Sequence, residues 1–383
     1  MRIAVIGGGM AGASAAYSLI MHPSQPEVVL LEAEGQLGYH TTGRSAAQYI
    51  ENYGARAIRP LTKASLAFFE NPPAEYCDNP ILSPQAILTL GRPGQEESVD
   101  RLLNAGAAIN PDIAEISPAE AARLVPALRP EKFSRALIEP GSSDIDVAEL
   151  LQCFVRGFRA AGGTIATSRR VDAATPLPGA GGSGPTRWQL DTTDGLVDAD
   201  LVVNAAGAWG DVVAATAGVA PVGLTPMRRT AFMVASRWDD SSSWPMIADA
   251  DLNWYVKPDG VQFLCSPAEE TPSEAVDAKP EEIDIATAID RINEVTTLDI
   301  RSVRSSWAGL RTFVPDRAMV LGPDPDHQSF IWCVGQGGNG IQTAPAAGQL
   351  LADLCLDGAP GPTFDGFDLD LAGLSPARLR PAE

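Results

Sequence analysis

Lysine is almost absent from this sequence of 383 residues. Of its 28 basic residues only 4 are lysines and the other 24 are arginines, while 48 acidic residues leave a formal net charge of −20 at pH 7. A surface of this sign repels phosphate backbones and anionic lipid headgroups. The composition therefore makes nucleic acid and acidic membranes poor partners, and we predict no nucleic-acid binding.

Histidine and cysteine are also scarce. The three histidines, His22, His40 and His327, lack the spacing of metal ligands, so we predict no metal site. The five cysteines are an odd number and include no C-x-x-C pair. Such a set is typical of reduced thiols, and we predict a cytoplasmic protein.

Long apolar runs are missing as well. No run reaches the roughly 20 residues that a transmembrane helix needs, so we predict no integral membrane segment. The chain enters an apolar strand at its second residue, without a basic region or a cleavage site, and this predicts no signal peptide. Because its length exceeds one typical domain, we expect two domains that share a core.

What the sequence does have is a glycine-rich opening. An apolar run at residues 3–6 predicts a buried strand, and residues 11–20 predict a helix. Between them Gly7, Gly9 and Gly12 fit the pattern G-x-G-x-x-G. In a dinucleotide-binding unit the first glycine makes the turn, the second lets the backbone approach a pyrophosphate, and the third lets helix and strand pack closely. The free N–H groups at the start of the helix then face the phosphates.

The next predicted strand ends in an acid. Residues 28–31 form a second apolar run, and Glu32 follows it, 20 residues after Gly12. A carboxylate here accepts hydrogen bonds from ribose hydroxyls and disfavours a 2′-phosphate. The pattern therefore predicts FAD or NAD rather than NADP. The alternative is a glycine-rich turn in some other α/β protein.

Small residues are concentrated in later segments too. Residues 35–50 predict a loop that passes the bound dinucleotide, with an ordinary surface loop as the alternative. Residues 201–210, LVVNAAGAWG, predict a strand and a turn that either approach the cofactor or only pack the sheet. Residues 330–352 predict a strand, a glycine-rich turn and a helix whose N-terminus would stabilise charge on a reduced flavin. The glycines of residues 176–185 do not lie between a strand and a helix, and they predict a flexible segment.

Eight further segments are long enough to be characteristic of a family. They run from the first strand almost to the C-terminal tail and read GYHTTGRSAAQY, LTKASLAFFENPPAEYC, LSPQ, VVNAAGAWG, PMRRTAF, WYVKPD, SWAGLRTFV and GGNGIQT. In these segments the chain resembles the FAD-dependent D-amino-acid oxidase superfamily, which also holds sarcosine and glycine oxidases. Within it, the chain resembles the D-arginine dehydrogenase group.

The resemblance implies the fold. It implies an α/β protein in which an FAD-binding Rossmann-like domain is interleaved with an α+β substrate domain built on an antiparallel sheet. Residues 1–50, 145–215 and 300–383 would form the FAD-binding domain. Residues 51–144 and 216–299 would form the substrate domain.

The resemblance also implies the reaction. A D-amino acid would be oxidised to an imino acid by hydride transfer from Cα to flavin N5, and water would hydrolyse the imino acid to a 2-oxo acid and ammonia. The FAD would be held non-covalently, because the stretch after Arg311 lacks the cysteine that attaches flavin in some relatives. The electron acceptor, a quinone or O₂, stays open. The alternatives are a sarcosine- or glycine-type amine oxidase that uses O₂, an NAD-binding dehydrogenase, and a flavoprotein without catalysis.

Site residues follow from the same resemblance. Arg228, Tyr255 and Arg311 would grip the substrate carboxylate, with Tyr53 and Gln48 in the same pocket, because arginine forks match carboxylates in a bidentate way. The predicted cofactor-binding residues come from the motifs and the resemblance together, and they are Gly7, Gly9, Met10, Ala11, Gly12, Glu32, Ala33, Gly43, Arg44, Ser45, Ala46, Ala47, Val171, Ala205, Ala206, Gly207, Trp209, Gly309, Arg311, Gly337, Gly338, Asn339, Gly340, Ile341, Gln342 and Thr343.

The pocket departs from the D-arginine dehydrogenase pattern. Ile87 stands where that group has a glutamate that pairs with the guanidinium, Gln48 stands where it has a histidine, and Ile50 replaces a threonine. Leaving a buried charge unpaired costs roughly 3–5 kcal/mol. We therefore predict a preference for neutral, apolar D-amino acids over D-arginine. Since no histidine is an evident base, we expect the substrate amine to lose its proton to water or bulk solution.

Overall fold

The computed structural model describes residues 1–107, 109–110, 112–178 and 187–380. Most of the glycine-rich segment 176–185, for which the sequence predicts flexibility, lies outside the described residues. Within the described ranges, no helix combines the length and the apolar character that crossing a bilayer requires.

The described chain contains both strands and helices, and the strands β9 to β13 and β14 to β18 follow one another without an α-helix between them. The strands are β1 (Arg2–Ile6), β2 (Glu27–Leu31), β3 (Gln48–Tyr49), β4 (Leu82–Pro84), β5 (Ile87–Gly91), β6 (Ala114–Ile116), β7 (Arg135–Glu139), β8 (Ser143–Ile145), β9 (Thr164–Ala166), β10 (Val171–Leu177), β11 (Arg187–Thr192), β12 (Gly195–Ala199), β13 (Leu201–Asn204), β14 (Thr225–Ala235), β15 (Met246–Asp249), β16 (Tyr255–Asp259), β17 (Gln262–Ser266), β18 (Thr271–Pro272), β19 (Ser305–Phe313), β20 (Val320–Pro323) and β21 (Phe330–Val334). The α-helices are α1 (Met10–Met21), α2 (Arg59–Glu70), α3 (Glu96–Ala107), α4 (Pro118–Leu124), α5 (Val147–Ala160), α6 (Gly210–Thr216), α7 (Glu282–Val295), α8 (Ala344–Leu356) and α9 (Leu371–Leu374).

The first sheet carries the glycine-rich opening. Its order is β20-β21-β13-β1-β2-β9, and all neighbours are parallel except β20, which runs antiparallel to β21. Ile3 and Val5 of β1 pack in one core with α1 and α8, while Ala4 and Ile6 pack on the other face against the small sheet β10-β11-β12. Because both faces are covered, β1 is apolar at consecutive positions, as parallel strands are.

The second large sheet is mostly antiparallel. Its order is β18-β14-β17-β16-β15-β5-β7-β6, and β19 also pairs with β14. The sequence predicts residues 300–383 in the FAD-binding domain, but β19 lies inside that range and is hydrogen-bonded to β14 along its length. β19 therefore belongs to the antiparallel sheet. The sequence did not predict this, because the pairing of β19 with β14 is a tertiary contact that no local pattern encodes.

Side chains alternate between the two faces of this sheet. Phe232 and Val234 of β14 pack in a core with α4 and α7, while Ala231 and Met233 point to the opposite face together with Tyr255. That second face is turned toward the first sheet. The cavity described below lies between them.

Two of the cysteines form a disulfide. Cys153 lies in α5, Cys77 lies in the turn after α2, and their Cα atoms are 4.9 Å apart. The expectation of reduced thiols is therefore wrong for this pair. A separation of 76 residues gives no sequence signal, because pairing depends on Cα atoms that only the fold brings together. The predicted cytoplasmic location, which rested on the same cysteines, stays a prediction.

Candidate functional site

A cavity of about 1550 Å³ lies between the two large sheets. It is larger than the roughly 300–1,000 Å³ of a typical small-molecule site, which leaves room for a dinucleotide and a small substrate together. Most of the predicted site residues lie on its wall, namely Gly7, Gly9, Met10, Ala11, Glu32, Ala33, Arg44, Ser45, Ala46, Ala47, Gln48, Tyr53, Val171, Ala205, Ala206, Gly207, Trp209, Tyr255, Gly309, Arg311, Gly337, Gly338, Asn339, Gly340, Ile341 and Gln342.

Three predicted cofactor residues lie behind the wall. A Cβ atom on Gly12 would stand 1.8 Å from the carbonyl oxygen of Gly7, so this glycine lets helix and strand pack. A Cβ atom on Gly43 would stand 2.6 Å from another backbone oxygen. Thr343 is buried at the start of α8, where its hydroxyl donates to the carbonyl of Asn339 at 2.9 Å. These residues shape the wall without facing the cavity.

The turn from β1 into α1 brings backbone to the cavity. Gly7 has φ +109°, and a Cβ atom there would stand 2.5 Å from the carbonyl oxygen of Ala205. α1 begins at Met10 after Gly9, which offers no side-chain cap, and the Met10 N–H donates to Thr42 Oγ1 at 2.9 Å. Gly9 and Ala11 also line the cavity at this turn, where free backbone N–H groups at the start of a helix can hold phosphate oxygens.

Glu32 sits at the end of β2, beside this turn. Its Oε2 accepts a hydrogen bond from the Gly8 N–H at 2.6 Å, and its Oε1 accepts one from the Glu34 N–H at 2.8 Å. These bonds fix the carboxylate in place. A carboxylate has about four lone-pair sites, so Glu32 retains acceptor capacity for ribose hydroxyls.

The loop after Glu32 is anchored to the second sheet. Arg44 donates to Asp277 Oδ1 at 2.6 Å and to the carbonyl of Ala308 in β19 at 2.7 Å, and its own carbonyl accepts from Trp307 Nε1. Lys279 and Arg44 together lower the pKa of Asp277 to about 2. The guanidinium of Arg44 is thus paired within the protein. Its hydrogen bonds hold the small residues that follow it against the cavity.

Arg311 forms the cationic part of the wall. Its Nη1 lies 3.3 Å from the hydroxyl of Tyr53, and among the described residues no carboxylate forms an ion pair with it. Gly338 lies beneath both groups, since a Cβ atom there would stand 2.9 Å from Arg311 Nη1 and 2.7 Å from Tyr53 Oη. Glu270 acts on Arg311 only through its nearby charge, and a buried guanidinium without a directly paired carboxylate is suited to an anionic ligand.

The second arginine of the site is Arg229 rather than the predicted Arg228. In the pairing of β14 with β19, Arg229 lies opposite Gly309 and Met227 lies opposite Arg311. Arg229 therefore shares the face of Arg311 and lines the cavity. Arg228 points to the other face, where it pairs with Glu281 and donates to Asp284 Oδ2 at 2.9 Å.

Burial and the nearby charge of Arg311 lower the pKa of Arg229. Its Nε donates to the carbonyl of Glu269 at 2.8 Å, and its Nη2 lies 3.3 Å from Glu270 Oε1. The sequence offered one signal for this residue. In the run PMRRTAFMVA the even-numbered Phe232 and Val234 are core-facing, so alternation along a strand sends the odd-numbered arginine to the opposite face.

The rest of the wall belongs to the second sheet and its loops. Ile87 and Thr89 of β5 and Met246 and Ala248 of β15 face the cavity, and Ala248 pairs with Tyr255. The structure adds residues for which the sequence gave no site prediction, and these include Asn52, Leu102, Glu139, Met246, Glu269, Glu270, Arg317 and Gln336.

Gln48 and Ile50 are placed on the same part of the wall. Gln48 Nε2 donates to Gln85 Oε1 at 2.9 Å, and the Ile50 N–H donates to Gln342 Oε1 at 3.0 Å. The amide nitrogen of Gln48 and the Ile50 N–H are thus occupied within the protein, whereas the buried Gln48 Oε1 has no hydrogen-bond partner among the described residues. The bond from Ile50 holds this loop against the glycine-rich turn after β21, and the bond from Gln48 holds it against the connection between β4 and β5.

Comparison with known proteins identifies the ligand class of this cavity. Residues 2–354 match the profile of the DAO family, described as FAD dependent oxidoreductase. Mitochondrial sarcosine dehydrogenase of Homo sapiens is 25% identical over 279 residues, which are 70% of this chain and 30% of that protein. The chain thus spans less than a third of that relative. The residues on the wall fit the FAD that this family binds, because backbone N–H groups and Glu32 meet at one end of the cavity.

Solved structures share the fold over almost the whole chain. The L-proline dehydrogenase from P. horikoshii has a TM-score of 0.83 at 20% identity, covering 98% of this chain and 97% of that one. The glycine oxidase from Geobacillus kaustophilus has a TM-score of 0.82 at 21% identity, covering 98% of both chains. These likenesses confirm the predicted α/β fold. The relatives named here are not of the D-arginine dehydrogenase group, so that finer resemblance stays a proposal.

Proposed function

The chain belongs to the DAO family of FAD dependent oxidoreductases, and on that premise we propose that it deaminates D-amino acids oxidatively. The products would be a 2-oxo acid and ammonia, formed when water hydrolyses the imino acid. FAD, when bound, supplies the acceptor for the hydride that leaves the substrate Cα. The side chains of this protein would bind the substrate, orient it and exclude water.

One observation carries the proposal. Arg311 is a guanidinium inside the protein that forms no ion pair with a carboxylate of the described chain, and Arg229 lies on the same face of the sheet. Glu270 forms an ion pair with Arg229, so Arg311 is the cation of this pair that favours a ligand carrying an anion. The α-carboxylate of an amino acid meets this requirement, and a guanidinium binds it in a bidentate way.

The tyrosines would complete the grip on the substrate. The Tyr53 hydroxyl already contacts Arg311, and Tyr255 lies on the cavity wall in β16. A hydroxyl can donate to a carboxylate oxygen that the arginine leaves free. Held in this way, the carboxylate fixes the position of Cα, and such positioning is the protein's main contribution to a reaction that depends on geometry.

The proton of the substrate ammonium would leave to water. His40 is the one histidine on the described part of the wall, and it lies on the cofactor side, where its Nε2 bonds with Glu34 and its ring packs on Trp209. It is therefore unsuited to act as a base at the substrate amine. We propose that the reaction rate rises with pH as the free amine becomes available.

The substrate side chain would lie along an apolar surface. Ile87, Met246 and Leu102 line this part of the cavity. They support a side chain that is apolar next to Cα, which is the preference predicted from Ile87. The preference for the D-enantiomer is supported by the family resemblance of the sequence, and matched L-enantiomers test it.

Anaerobic reduction tests the proposal. Purified protein loaded with FAD is mixed without O₂ with D-leucine, D-methionine, D-phenylalanine or D-arginine, and with each L-enantiomer as the matched control. We expect the flavin absorbance to bleach with D-enantiomers and to persist with L-enantiomers. Persistence of the absorbance with every D-amino acid would refute the proposal.

A second candidate is a sarcosine- or glycine-type amine oxidase that passes electrons to O₂. It is favoured by the named relatives, which are a sarcosine dehydrogenase and a glycine oxidase. Sarcosine and glycine are therefore included in the same experiment, and peroxide is measured in air. Bleaching by sarcosine but by no D-amino acid would establish this candidate instead.

A further inference from the structure

Glu270 links the buried Arg229 to a second arginine that lies nearer to solvent. Glu270 Oε1 lies 3.3 Å from Arg229 Nη2, and both oxygens of the carboxylate accept hydrogen bonds from Arg317 Nη2 at 2.9 Å. The exposed fraction of the side chain rises from 14% at Arg229 to 32% at Glu270 and 50% at Arg317. All three residues line the cavity. This row of charges therefore runs from the interior of the cavity to its mouth.

Arg317 is fixed at the mouth by the strand that precedes it. The carbon of its guanidinium lies 3.8 Å from the centroid of the ring of Phe313, the last residue of β19. A cation over the face of an aromatic ring is attracted to it. The ring in turn packs on the glycine-rich turn after β21, because a Cβ atom on Gly337 would collide with it. Glu270 thus lies between an inner cation and an anchored outer one.

The neighbouring acid, Glu269, is engaged elsewhere. Its Oε1 accepts a hydrogen bond from the Thr230 N–H at 2.6 Å, on the backbone of β14. Burial raises the pKa of its carboxyl. Glu270, by contrast, pairs directly with two cations of the cavity wall.

Glu270 offsets an electrostatic cost in the free protein. Burial and the like charge of Arg311 lower the pKa of Arg229, and the charge of Glu270 acts in the opposite direction. A carboxylate ligand at Arg229 would supply the same compensation. Two carboxylates at one guanidinium repel each other, so ligand and Glu270 compete for this cation. Leaving Arg229 costs Glu270 one contact, because Arg317 already donates to both of its oxygens.

We propose that Glu270 is an internal substitute for the substrate carboxylate. It occupies Arg229 in the free protein, and an incoming carboxylate displaces it toward Arg317. Glu270 thereby sets the affinity of the site for anions, and its return to Arg229 helps to expel the 2-oxo acid after the reaction. The inference rests on the proposed function, since it takes the α-carboxylate as the ligand of Arg229 and Arg311.

Binding of a carboxylate to the oxidised holoenzyme tests this exchange without turnover. The probe is the 2-oxo acid that corresponds to leucine, titrated against the flavin absorbance and the melting temperature, and its uncharged amide is the matched control ligand. Glu270→Gln should lower the Kd of the 2-oxo acid by about tenfold and leave that of the amide unchanged. Glu274→Gln, on a nearby exposed acid, is the control variant and should change neither Kd.

Arg317→Ala tests the outer partner. Without Arg317 the carboxylate of Glu270 should bind Arg229 more firmly, so the Kd of the 2-oxo acid should rise by about fivefold or more. The same substitution in the Glu270→Gln background should have a smaller effect, because no competing carboxylate is left to release. That smaller effect measures the charge of Arg317 itself. Equal effects in the two backgrounds would overturn the exchange.

Failure of this inference and failure of the proposed function give different results. A Kd of the 2-oxo acid that Glu270→Gln leaves unchanged or raises would overturn the inference, while bleaching of the flavin by D-amino acids would leave the deamination intact. Tighter binding in Glu270→Gln, together with a flavin that no D-amino acid bleaches, would overturn the deamination and keep the exchange at Arg229. Both are overturned if neither protein binds the 2-oxo acid and no D-amino acid bleaches the flavin.

Discussion

Arg228 and Arg229 are adjacent in β14, yet their guanidinium groups lie on opposite faces of the sheet. Arg228 is held by Glu281 and Asp284 on the side of α7, whereas Arg229 faces the cavity with Arg311. The two residues have the same chemistry and almost the same position in the chain. Substituting each in turn therefore separates a direct contact with the substrate carboxylate, expected for Arg229, from the general loss of one positive charge, expected for Arg228.

The first prediction uses this pair. Arg229→Ala should raise KM for the amino acid by about tenfold or more, because one charged contact to the carboxylate is lost. Arg228→Ala should leave KM close to the wild-type value and lower the free energy of unfolding by about 1 kcal/mol through its lost ion pairs. Steady-state kinetics and denaturant unfolding measure the two effects. A larger KM change in Arg228→Ala than in Arg229→Ala would mean that Arg228 binds the substrate carboxylate.

Removing Arg311 should be more severe. In Arg311→Ala the KM should rise by about 100-fold, since a buried charged partner of the ligand is deleted. The FAD content, measured by absorbance of the purified protein, should stay at the wild-type level. Arg311→Lys is the matched control and should recover part of the loss, because it keeps the charge without the fork. A colourless Arg311→Ala protein would mean that the residue supports the fold instead.

Gly12 is predicted to control cofactor binding through packing. In Gly12→Ala the new Cβ would stand 1.8 Å from the Gly7 carbonyl oxygen, so α1 must move away from the turn that receives the phosphates. We expect little or no FAD in the purified variant. Gly35→Ala is the control, because its Cβ would meet only Ser168 Oγ at 3.8 Å. Normal FAD content in Gly12→Ala would contradict this account of the turn.

Glu139 should make stability depend on pH. Burial raises the pKa of its carboxyl in the folded state above the ordinary value of 4.5. The free energy of unfolding is therefore unaffected by Glu139 below about pH 4.5, where the carboxyl is neutral in both states. It falls as the pH rises through the higher pKa of the folded state, because the folded protein then has to hold the charged form. Without substrate, Glu139→Gln should thus gain stability over wild type as the pH is raised toward neutrality. Denaturant unfolding across this range measures the difference, and a difference independent of pH would contradict the prediction.

The disulfide should contribute to stability. Cross-linking Cys77 and Cys153, which are 76 residues apart, restricts the unfolded chain, and its loss should cost about 4 kcal/mol by the loop-entropy estimate. We expect a lower melting temperature in Cys77→Ser. A non-thiol reductant should lower the melting temperature of the wild type and leave that of Cys77→Ser unaffected. Equal melting temperatures in all samples would show that the pair is not bonded in solution.

The sequence predicted the opening of the chain because its signals are local. The strand at residues 3–6, the glycine spacing and the acid at Glu32 lie within one βαβ unit. The structure places them in β1, at the turn into α1 and directly after β2. The glycine-rich turn before α8 was also predicted, since a run of small residues between an apolar strand and a helix is typical of a tight βα connection.

The choice between Arg228 and Arg229 depends on which face of β14 is turned to the cavity. That face is set by pairing with β19, which is distant in the chain. Glu139 was missed for a similar reason, because a single acid at the end of a strand has the pattern of a solvent-facing residue. Its position against Ile87 exists only after β5 and β7 have paired.

In the neighbouring strands β5 and β15, side chains that build the core alternate with side chains that face the cavity. Leu88, Leu90 and Ile247 are buried in the core on one face, while their neighbours at 87, 89, 246 and 248 face the cavity. Diversifying only the latter four positions would vary the contour offered to a ligand while the residues that hold the sheet together stay untouched. The scaffold is thus suited to directed evolution, in which libraries restricted to alternate codons retain foldable clones.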